Sequence, residues 1–488
     1  MITVKLEHAM FFHDGSNPLV GLPPYKLLKV LYCKESLKTI FKEKFTETKT
    51  KGIDRLNGFQ LSKNLDEHIS VIHRKCMSGK YQFTPYAEVL RLKGRGKAPR
   101  VIGIPTVRDR IVLHQLKDIL SYTFPENVPK IRANTVVHKI SREIKKINEE
   151  GNAPATQVFG CDIQSFYDEI DRDLLLKALQ KRIKSPKVIK LIKAAIDCPI
   201  VPRNFRHKKI EEYVTKKGIP QGLAISNILA AIYLSEFDDE IRKLPIHYYR
   251  YVDDILIFGY AANVKAALTE TESRLTILGL KTHPIDSGKS HLGLLAEEFG
   301  YLGYLFILPK ITVRPTTVER FLQSIVGKFS DYTHNKNQRL ERLKYLDVNR
   351  LKEIFLSELN ERITGALSEN RRYGWISYFS EITDIELLKK LDRTIAGFFY
   401  RMNDFDKKSP VGLKKLTRAY YEMRYSPNGG YIHNYDILDD RTKKMQFLIV
   451  RGRLDPNKTY TDTEITEIFV SYKARNLADL EPDDGTIY

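Results

Sequence analysis

Tyr251-Val252-Asp253-Asp254 is the stretch that decides the fold, and it lies between two runs, 247–250 and 255–258, that are rich in aromatic and branched residues. Such residues favour β-strands. Two adjacent carboxylates are costly to bury in a sheet, although an Asp-Asp pair alone is also typical of an ordinary polar turn. The pattern predicts a β-hairpin that presents Asp253 and Asp254 at its tip, where they can meet a hard cation such as Mg²⁺.

The composition is that of a large globular protein with a strong excess of positive charge. The chain has 488 residues, enough for two or three domains, and 42% of them are hydrophobic. It carries 80 Lys and Arg against 60 Asp and Glu, a formal charge of +20. This excess favours a polyanionic partner, with nucleic acid ahead of an anionic membrane, although a solvated basic surface is the simpler alternative.

The cysteines and the hydropathy pattern bear on the compartment. Cys33, Cys76, Cys161 and Cys198 are far apart and form no C-x-x-C pair, so we expect neither a zinc site nor a disulfide framework. The N-terminus lacks a long apolar core, and no run approaches the roughly 20 apolar residues that a membrane span requires. We expect a cytoplasmic protein that does not associate with membranes.

Two further segments look functional. Tyr86–Leu92 and Arg100–Pro105 are predicted strands joined by a basic turn at 93–99. This hairpin is either a solvated turn or a cationic clamp for a triphosphate. Val158–Ile163 is an apolar run that contains Asp162 near its end. If its strand lies beside the central hairpin, three carboxylates converge, as in a two-metal site for phosphoryl transfer.

The helical pattern adds several expectations. Ser141 is a plausible N-cap for a helix over 141–150. One strongly basic helix is expected over 173–195, and its lysines are more typical of a solvated face than of a nucleic-acid contact. The turn Gly218–Gly222 opens an apolar helix over 224–237, and the chain beyond Thr316 is predicted to be mostly α-helical.

The motifs together resemble those of the reverse transcriptases, in particular the bacterial group II intron-like lineage. The segments at 158–171 (VFGCDIQSFYDEID), 218–227 (GIPQGLAISN) and 251–254 (YVDD) are similar to the catalytic and template motifs of that family. Residues 52–81 and 100–110 are similar to its fingers blocks. Gly288-Lys289-Ser290 and Tyr301-Leu302-Gly303 are similar to its later palm motifs and primer grip.

The resemblance implies an α/β (α+β) architecture with the fingers and palm of a right-hand polymerase. An antiparallel palm sheet is expected, followed by a mostly α-helical, thumb-like C-terminal domain. The implied division is an N-terminal extension at 1–50, fingers at 51–155 with parts of 172–217, a palm at 156–315 and a helical domain at 316–488.

The resemblance also implies roles for individual residues. Asp162, Asp253 and Asp254, with the Ile163 carbonyl, would hold two Mg²⁺ ions, with Mn²⁺ as an alternative. The residues implied for the incoming dNTP are Arg100 and Lys93 on the triphosphate, Tyr167 as a gate against the ribose 2′-OH, Gln221 in the nucleotide pocket, and Lys289 on the pyrophosphate. The residues expected to contact nucleic acid are Lys181, Arg182, Arg206, Lys208 and Gly303.

The C-terminal part resembles a narrower group. Arg362–Ala366 and Tyr373–Phe379 are similar to the helical region of bacterial anti-phage reverse transcriptases, the abortive-infection and defence-associated families. The resemblance implies a cognate non-coding RNA, a DNA product and a possible homo-oligomer. The chain lacks an H-N-H nuclease pattern with paired cysteines, the N-A-x-x-H signature of retron enzymes and a clear V-T-G after the palm.

Three other functions stay open from the sequence. A template-independent DNA polymerase primed by a protein tyrosine would share the same motifs, and the 27 tyrosines do not nominate a primer. An RNA-binding scaffold with an inactive site would also fit the charge, although the three carboxylates argue against it. Binding to a membrane surface through the basic residues at 177–193 is weakly supported, because the lysines point to several helix faces.

Overall fold

The computed structural model describes residues 17–91, 98–129, 132–427 and 429–481, without the side chains of His207, Lys208 and Asp286. The part that precedes the central sheet is mainly helical and carries one β-hairpin. Its elements are α1 (Pro24–Leu31), α2 (Lys34–Lys44), α3 (Gly58–Ser62), α4 (Leu65–Met77), β1 (Tyr86–Arg91), β2 (Arg100–Ile104), α5 (Val107–Thr123) and α6 (Ala133–Glu149).

The middle of the chain alternates strands and helices. Its elements are β3 (Thr156–Asp162), α7 (Phe166–Glu169), α8 (Arg172–Gln180), α9 (Pro186–Ile196), β4 (Ile200–Val201), α10 (Ser226–Tyr233), α11 (Ser235–Ile241), β5 (His247–Tyr251), β6 (Asp254–Tyr260), α12 (Ala261–Ile277), β7 (His291–Leu294), β8 (Phe299–Tyr301), β9 (Tyr304–Ile307) and β10 (Lys310–Val313).

The C-terminal part is mostly helical, with a small three-stranded sheet that the sequence pattern did not predict. Its elements are α13 (Pro315–Arg342), α14 (Val348–Thr364), β11 (Ala366–Ser368), β12 (Arg371–Tyr373), α15 (Trp375–Tyr378), α16 (Ile385–Phe398), α17 (Leu416–Tyr425), β13 (His433–Asn434), α18 (Arg441–Val450) and α19 (Asp462–Leu480). The expected α/β class, with an antiparallel central sheet and a helical C-terminal region, is confirmed.

The central sheet has the strand order β5-β6-β3-β7, and all of its pairs are antiparallel. The hairpin of β1 and β2 lies in a separate sheet, where β4 adds in parallel to β1. The strands β8, β9 and β10 form a third sheet, an antiparallel meander that leads into α13. The two hairpins predicted around 86–105 and 247–258 are therefore both present.

Strand β6 is buried on both faces. Its apolar residues 255–258 are all 0% exposed. Ile255 and Ile257 join a core with the N-terminal helices, whereas Leu256 and Phe258 join a second core with α6 and the C-terminal helices. This two-sided burial explains why the strand is a continuous apolar run instead of an alternating one.

Some predicted helix boundaries are wrong. Ser141 is not an N-cap, because α6 begins eight residues earlier and the Ser141 hydroxyl donates to the His138 carbonyl (2.9 Å). The basic helix expected over 173–195 is two helices, since Pro186, which lacks an N–H, begins α9. The apolar helix expected over 224–237 likewise gives way to α10 and α11 around Leu234.

A buried ion pair ties α11 to the central hairpin. Arg250 on β5 donates from Nε to Asp238 on α11 (2.7 Å), and Tyr248 also donates to this carboxylate (2.6 Å). The two charged side chains are 11% and 6% exposed. A second guanidinium nitrogen of Arg250 donates to the Val252 carbonyl (2.7 Å), so the same residue also fixes the turn that follows β5.

We predict that Arg250→Met lowers the free energy of unfolding by about 3–5 kcal/mol, because it removes the buried partner of the Asp238 carboxylate and leaves only the exposed Arg242, 3.7 Å away. Urea denaturation measures this loss. The matched control is Arg441→Met, because this side chain is 49% exposed and pairs with the exposed Asp462, so its loss should cost at most about 1 kcal/mol. Equal losses in the two variants would contradict the structural role of Arg250.

Candidate active site

Asp162 and Asp254 are direct neighbours across two strands of the central sheet. The antiparallel register of β3 and β6 places these two residues opposite each other, and opposed residues in such a ladder have their Cα atoms about 4.5–5.5 Å apart. Asp253 lies in the turn before β6, and its carbonyl accepts a hydrogen bond from the Ile163 amide (3.1 Å). The predicted convergence of these strand ends is confirmed.

The turn that carries Asp253 is held from two sides. Val252 has a φ of 58°, a left-handed conformation that is strained for a β-branched residue. Its carbonyl is bound by Arg250, while the Tyr301 hydroxyl donates to the Asp254 carbonyl (3.2 Å). Side chains from the central sheet and from the following meander therefore stabilise this backbone conformation.

Negative charge is concentrated at this point. Burial, and then the carboxylates of Asp253 and Asp162, raise the pKa of Asp254 to about 8, although Arg314 and Lys289 act in the opposite direction. A bound cation would relieve such repulsion, and three carboxylates with a backbone carbonyl are the oxygen donors that Mg²⁺ prefers. The donor chemistry therefore fits a divalent metal.

The structure does not by itself assign that metal. Within the described ranges, no three His, Cys, Asp or Glu side chains are arranged closely enough to enclose an ion. The metal-holding roles of Asp162, Asp253, Asp254 and Ile163 accordingly stay predictions.

Lys289 lies beside the first carboxylate. Its Nζ is 3.4 Å from Asp162 Oδ2 and donates to His283 Nε2 (2.8 Å). His283 in turn donates its backbone amide to the Asp162 carbonyl (3.0 Å). The cation predicted to act on pyrophosphate is thus at the edge of the carboxylate cluster and 44% exposed.

Tyr167 lies under the turn that carries Gln221. The Tyr167 side chain is 5% exposed, and its hydroxyl donates to Asn227 Oδ1 (2.9 Å). Its backbone carbonyl accepts from the Ile219 amide (2.8 Å). The backbone of α7 and the turn at 218–222 therefore form one unit, which brings two predicted nucleotide-binding residues close together in the fold.

The same turn reaches the hairpin of β1 and β2. The Gln221 carbonyl accepts from the Gly103 amide on β2 (2.8 Å), close to Arg100 at the start of that strand. Burial and the charge of Asp253 raise the pKa of the Tyr167 hydroxyl, and the charge of Arg100 lowers it. Arg100, Tyr167 and Asp253 thus share one electrostatic environment. Lys93, the other predicted triphosphate contact, lies outside the described residues.

The residues predicted to contact nucleic acid differ in their surroundings. Lys181 is paired with Glu236, and Arg182 with Glu126 (2.6 Å), so intramolecular carboxylates offset their charge. Arg206 is exposed. The side chain of Lys208 lies outside the described residues.

Gly303 lies in the turn between β8 and β9, with a φ of 82°. A Cβ placed there would be 3.3 Å from the Phe379 ring, and the Gly303 carbonyl accepts from the Arg314 amide (3.2 Å). This side of the turn therefore packs against the C-terminal region.

Several supporting residues were missed by the sequence analysis. Arg250 and Asp238 gave no signal because their pairing depends on the packing of a helix on a strand 12 positions away. His283 and Arg314 lie outside the quoted motifs, and their proximity to the carboxylates follows from the fold. Asn227 is the last residue of a quoted motif, and a polar side chain at the start of a buried helix was a signal that could have found it.

The strand-paired carboxylates lie close to a separate hairpin with an arginine at its base and to the glycine turn at 218–222. Residues 92–306 match the family model described as "Reverse transcriptase (RNA-dependent DNA polymerase)". This region of the chain is therefore similar to a reverse transcriptase domain.

Individual relatives agree with the match. The protein YkfC of Escherichia coli (strain K12) is 25% identical over 297 residues, which cover 53% of this chain and 76% of that protein. The group II intron-encoded protein LtrA of Lactococcus lactis subsp. cremoris is 28% identical over 211 residues, 41% of this chain but 32% of LtrA. A bacterial reverse transcriptase relationship is thus supported, with the chain spanning about a third of LtrA.

Solved structures of telomerase are also similar. Telomerase from Candida albicans in complex with a TWJ fragment of telomeric RNA has a TM-score of 0.39 and 12% identity, over 85% of this chain and 69% of that one.

Among the residues described here, no helix is both long enough and apolar enough to cross a membrane.

We predict that Gly222→Ala destabilises the fold by about 2–5 kcal/mol, because it adds steric overlap to left-handed strain. Gly222 has a φ of 99°, and a Cβ there would be 2.7 Å from Ile102 and 2.8 Å from the Gly103 carbonyl. Gly151→Ala is the matched control, since its φ of 74° is also positive but nothing lies within 4 Å. It should cost only about 1–2 kcal/mol. Urea denaturation of both variants measures these losses in the free energy of unfolding. Equal losses would contradict the close approach of Gly222 to Ile102 and Gly103.

Proposed function

We propose that the protein is an RNA-directed DNA polymerase that extends a primer with dNTPs by two-metal phosphoryl transfer. The observation that carries this proposal is the pairing of Asp162 with Asp254 across β3 and β6, inside the reverse transcriptase domain. Asp253 in the adjoining turn supplies the third carboxylate. An inactive RNA-binding scaffold is disfavoured, because it would have no need to keep three repelling acids at one strand end.

In this proposal Asp162, Asp253 and Asp254 hold the metals, with the Ile163 carbonyl assisting. When bound, Mg²⁺ would activate the attacking 3′-oxygen and stabilise the leaving pyrophosphate. The left-handed turn at Val252 keeps the second and third carboxylates in place before substrate arrives. This preorganisation matters because groups that are already oriented stabilise a transition state without a reorganisation cost.

Cationic side chains at the rim would bind the phosphates. Arg100 is at the base of the fingers hairpin, where a guanidinium can form two hydrogen bonds to a triphosphate. Lys289 is beside Asp162 and would neutralise or protonate the pyrophosphate. Gln221 would line the nucleotide pocket through its amide, which offers both a donor and an acceptor.

A role in phage defence with a cognate non-coding RNA is the finer part of the proposal. Its support is the resemblance of Arg362–Ala366 and Tyr373–Phe379 to the anti-phage reverse transcriptases. Trp375 and Phe379 are each 1% exposed, Phe379 packs against the turn at Gly303, and Trp375 packs on Phe379. These segments therefore support a shared architecture instead of a direct RNA contact. We further propose a cytoplasmic location. Whether the chain forms a homo-oligomer is a question for a measurement of its mass in solution.

A template-independent, protein-primed polymerase is the second candidate. Tyr260, Tyr400 and Tyr425 are 69%, 64% and 73% exposed, so hydroxyl groups that could accept a first nucleotide are available on the surface. Product DNA that stays attached to protein after denaturation would favour this candidate. A free 5′ end and a sequence complementary to added RNA would favour the first.

The central test is a double substitution, Asp253→Asn with Asp254→Asn. DNA synthesis from an annealed RNA template and primer, with Mg²⁺ and dNTPs, should fall by at least about a thousandfold, roughly 4 kcal/mol of transition-state stabilisation. Asp173→Asn with Asp239→Asn removes the same charge from exposed helix positions and should leave synthesis unchanged. Undiminished synthesis by the first variant would refute the proposal.

We also predict that Tyr167→Val raises ribonucleotide incorporation relative to dNTP incorporation by at least about tenfold, because the ring no longer obstructs a 2′-OH. Tyr167→Phe keeps the ring, lacks the hydroxyl that donates to Asn227 and should retain the preference for dNTPs. Primer extension with competing ribo- and deoxyribonucleotides measures the ratio. An unchanged ratio of ribonucleotide to dNTP incorporation in the valine variant would show that Tyr167 does not select the sugar.

A further inference from the structure

A basic groove lies between α16 and α17 in the C-terminal region. It has a volume of about 800 Å³, more than a single phosphate ion requires, and its walls come from both helices. It contains none of the carboxylates of the candidate active site. We call this surface the α16–α17 groove, and it is formed by Lys389, Asp392, Arg393, Lys415, Arg418 and Tyr421.

The cations of this groove are available to a ligand. Lys389 and Arg393 come from α16, and Lys415 and Arg418 flank the start of α17; all four are exposed. None of them forms an ion pair with a carboxylate of the described residues. This differs from Lys181, which Glu236 neutralises. The positive potential that attracts a polyanion is therefore less compensated in this groove than around Lys181.

The one carboxylate in the groove is already used. Asp392 accepts hydrogen bonds from the Leu416 amide (2.6 Å), the Thr417 amide (3.2 Å) and the Thr417 hydroxyl (2.7 Å). Its negative charge is thereby directed at the N-terminus of α17, which it caps. Four cations with one committed carboxylate leave a net attraction for anions.

Aromatic rings extend the groove. Tyr421 is 46% exposed and stacks on Tyr425, which is 73% exposed, with ring centroids 6.2 Å apart at 24°. Arg418 lies over the ring of Tyr431, 4.3 Å from its centroid, and this contact orients the guanidinium. Exposed rings beside unpaired cations are the two components with which proteins bind single strands, since bases stack on the rings and phosphates meet the cations.

The groove is firmly attached to the catalytic region. The Tyr420 hydroxyl donates to the Ile382 carbonyl (2.7 Å), which joins α17 to the segment before α16. Asp384 accepts from the Thr312 hydroxyl on β10 (2.8 Å), so the start of α16 is bound to the meander that follows the palm. A strand bound in the groove would thus be held in a fixed relation to that meander.

We propose that the α16–α17 groove binds a segment of single-stranded RNA outside the catalytic duplex. The two exposed rings favour an unpaired strand over a duplex, whose bases stack on one another. They also favour nucleic acid over a simple anion or an acidic peptide, which offers no aromatic faces. The choice of RNA over DNA rests on the proposed function, which brings an RNA strand to this protein.

The test measures binding of a fluorescently labelled single-stranded RNA oligomer to the full chain at several KCl concentrations. Arg393→Glu with Arg418→Glu should weaken binding at least about tenfold and reduce the slope of log Kd against log salt by about 1.4, as expected for two lost phosphate contacts. Tyr421→Ala should weaken it between about fivefold and about a hundredfold. Tyr421→Phe should bind like the wild type, because stacking needs only the ring.

Lys177→Glu with Lys190→Glu, on the exposed faces of α8 and α9, is the control with the same change of charge. Equal weakening in the control would show that RNA binding depends on total charge, and it would contradict the proposed RNA site in the α16–α17 groove. The proposed site would also be contradicted if a DNA oligomer or duplex RNA bound more tightly than the single-stranded RNA, or if the groove variants bound RNA like the wild type.

Primer extension on a short, pre-annealed template separates this inference from the proposed function. The groove variants should extend it like the wild type, which also shows that they fold. If wild-type protein makes no DNA while the groove variants alone lose RNA binding, the polymerase proposal fails and the groove assignment stands.

Discussion

The antiparallel pairing of β3 with β6 is the constraint on which the rest of the structure depends. It fixes Asp162 opposite Asp254, and a shift by one residue would turn every side chain of β6 to the other face. Because β6 is packed between two cores, such a shift would move Ile255 and Ile257 into the space of Leu256 and Phe258. Burial on both sides therefore specifies the register that brings the acids together.

Gathering these acids is electrostatically unfavourable, and the fold compensates for it locally. Arg250, neutralised by Asp238, binds the backbone of the turn instead of the acids themselves. Lys289 is close to Asp162 but half-exposed, so it can exchange that carboxylate for a phosphate. Hydrogen bonds to the turn backbone and the buried Arg250–Asp238 ion pair thus hold the site in its conformation. The exposed charge of Lys289 stays accessible to a substrate.

The sequence was informative where a local pattern decides the structure. The aromatic and branched runs around Asp253 predicted the hairpin, and the apolar run before Asp162 predicted β3, because strand preference and burial act over a few residues. The order of motifs then indicated the resemblance to reverse transcriptases, and residues 92–306 match a model of that family. Helix boundaries were less certain: Pro186 divides the predicted basic helix, and the start of α6 at Ala133 carries no cap that the pattern could reveal.

The sequence was uninformative where contacts join distant segments. The pairing of Lys181 with Glu236 spans 55 positions, and that of Lys289 with Asp162 spans 127. A run of lysines therefore looks the same in the sequence whether acids neutralise it or not. The structure distinguishes lysines and arginines that carboxylates neutralise from those that are not neutralised. Lys181 and Arg182 are paired with acids, so the cations of the α16–α17 groove are better candidates for a contact with nucleic acid.

The most direct test of the central claim is anomalous diffraction from crystals of the full chain with Mn²⁺, a dNTP and an annealed template and primer. Mn²⁺ replaces Mg²⁺ at oxygen ligands and its position can be seen without measuring activity. We expect two Mn²⁺ peaks, bound by Asp162, Asp253 and Asp254 at the ends of β3 and β6. Mn²⁺ peaks only elsewhere, with these carboxylates making no metal contact, would contradict it.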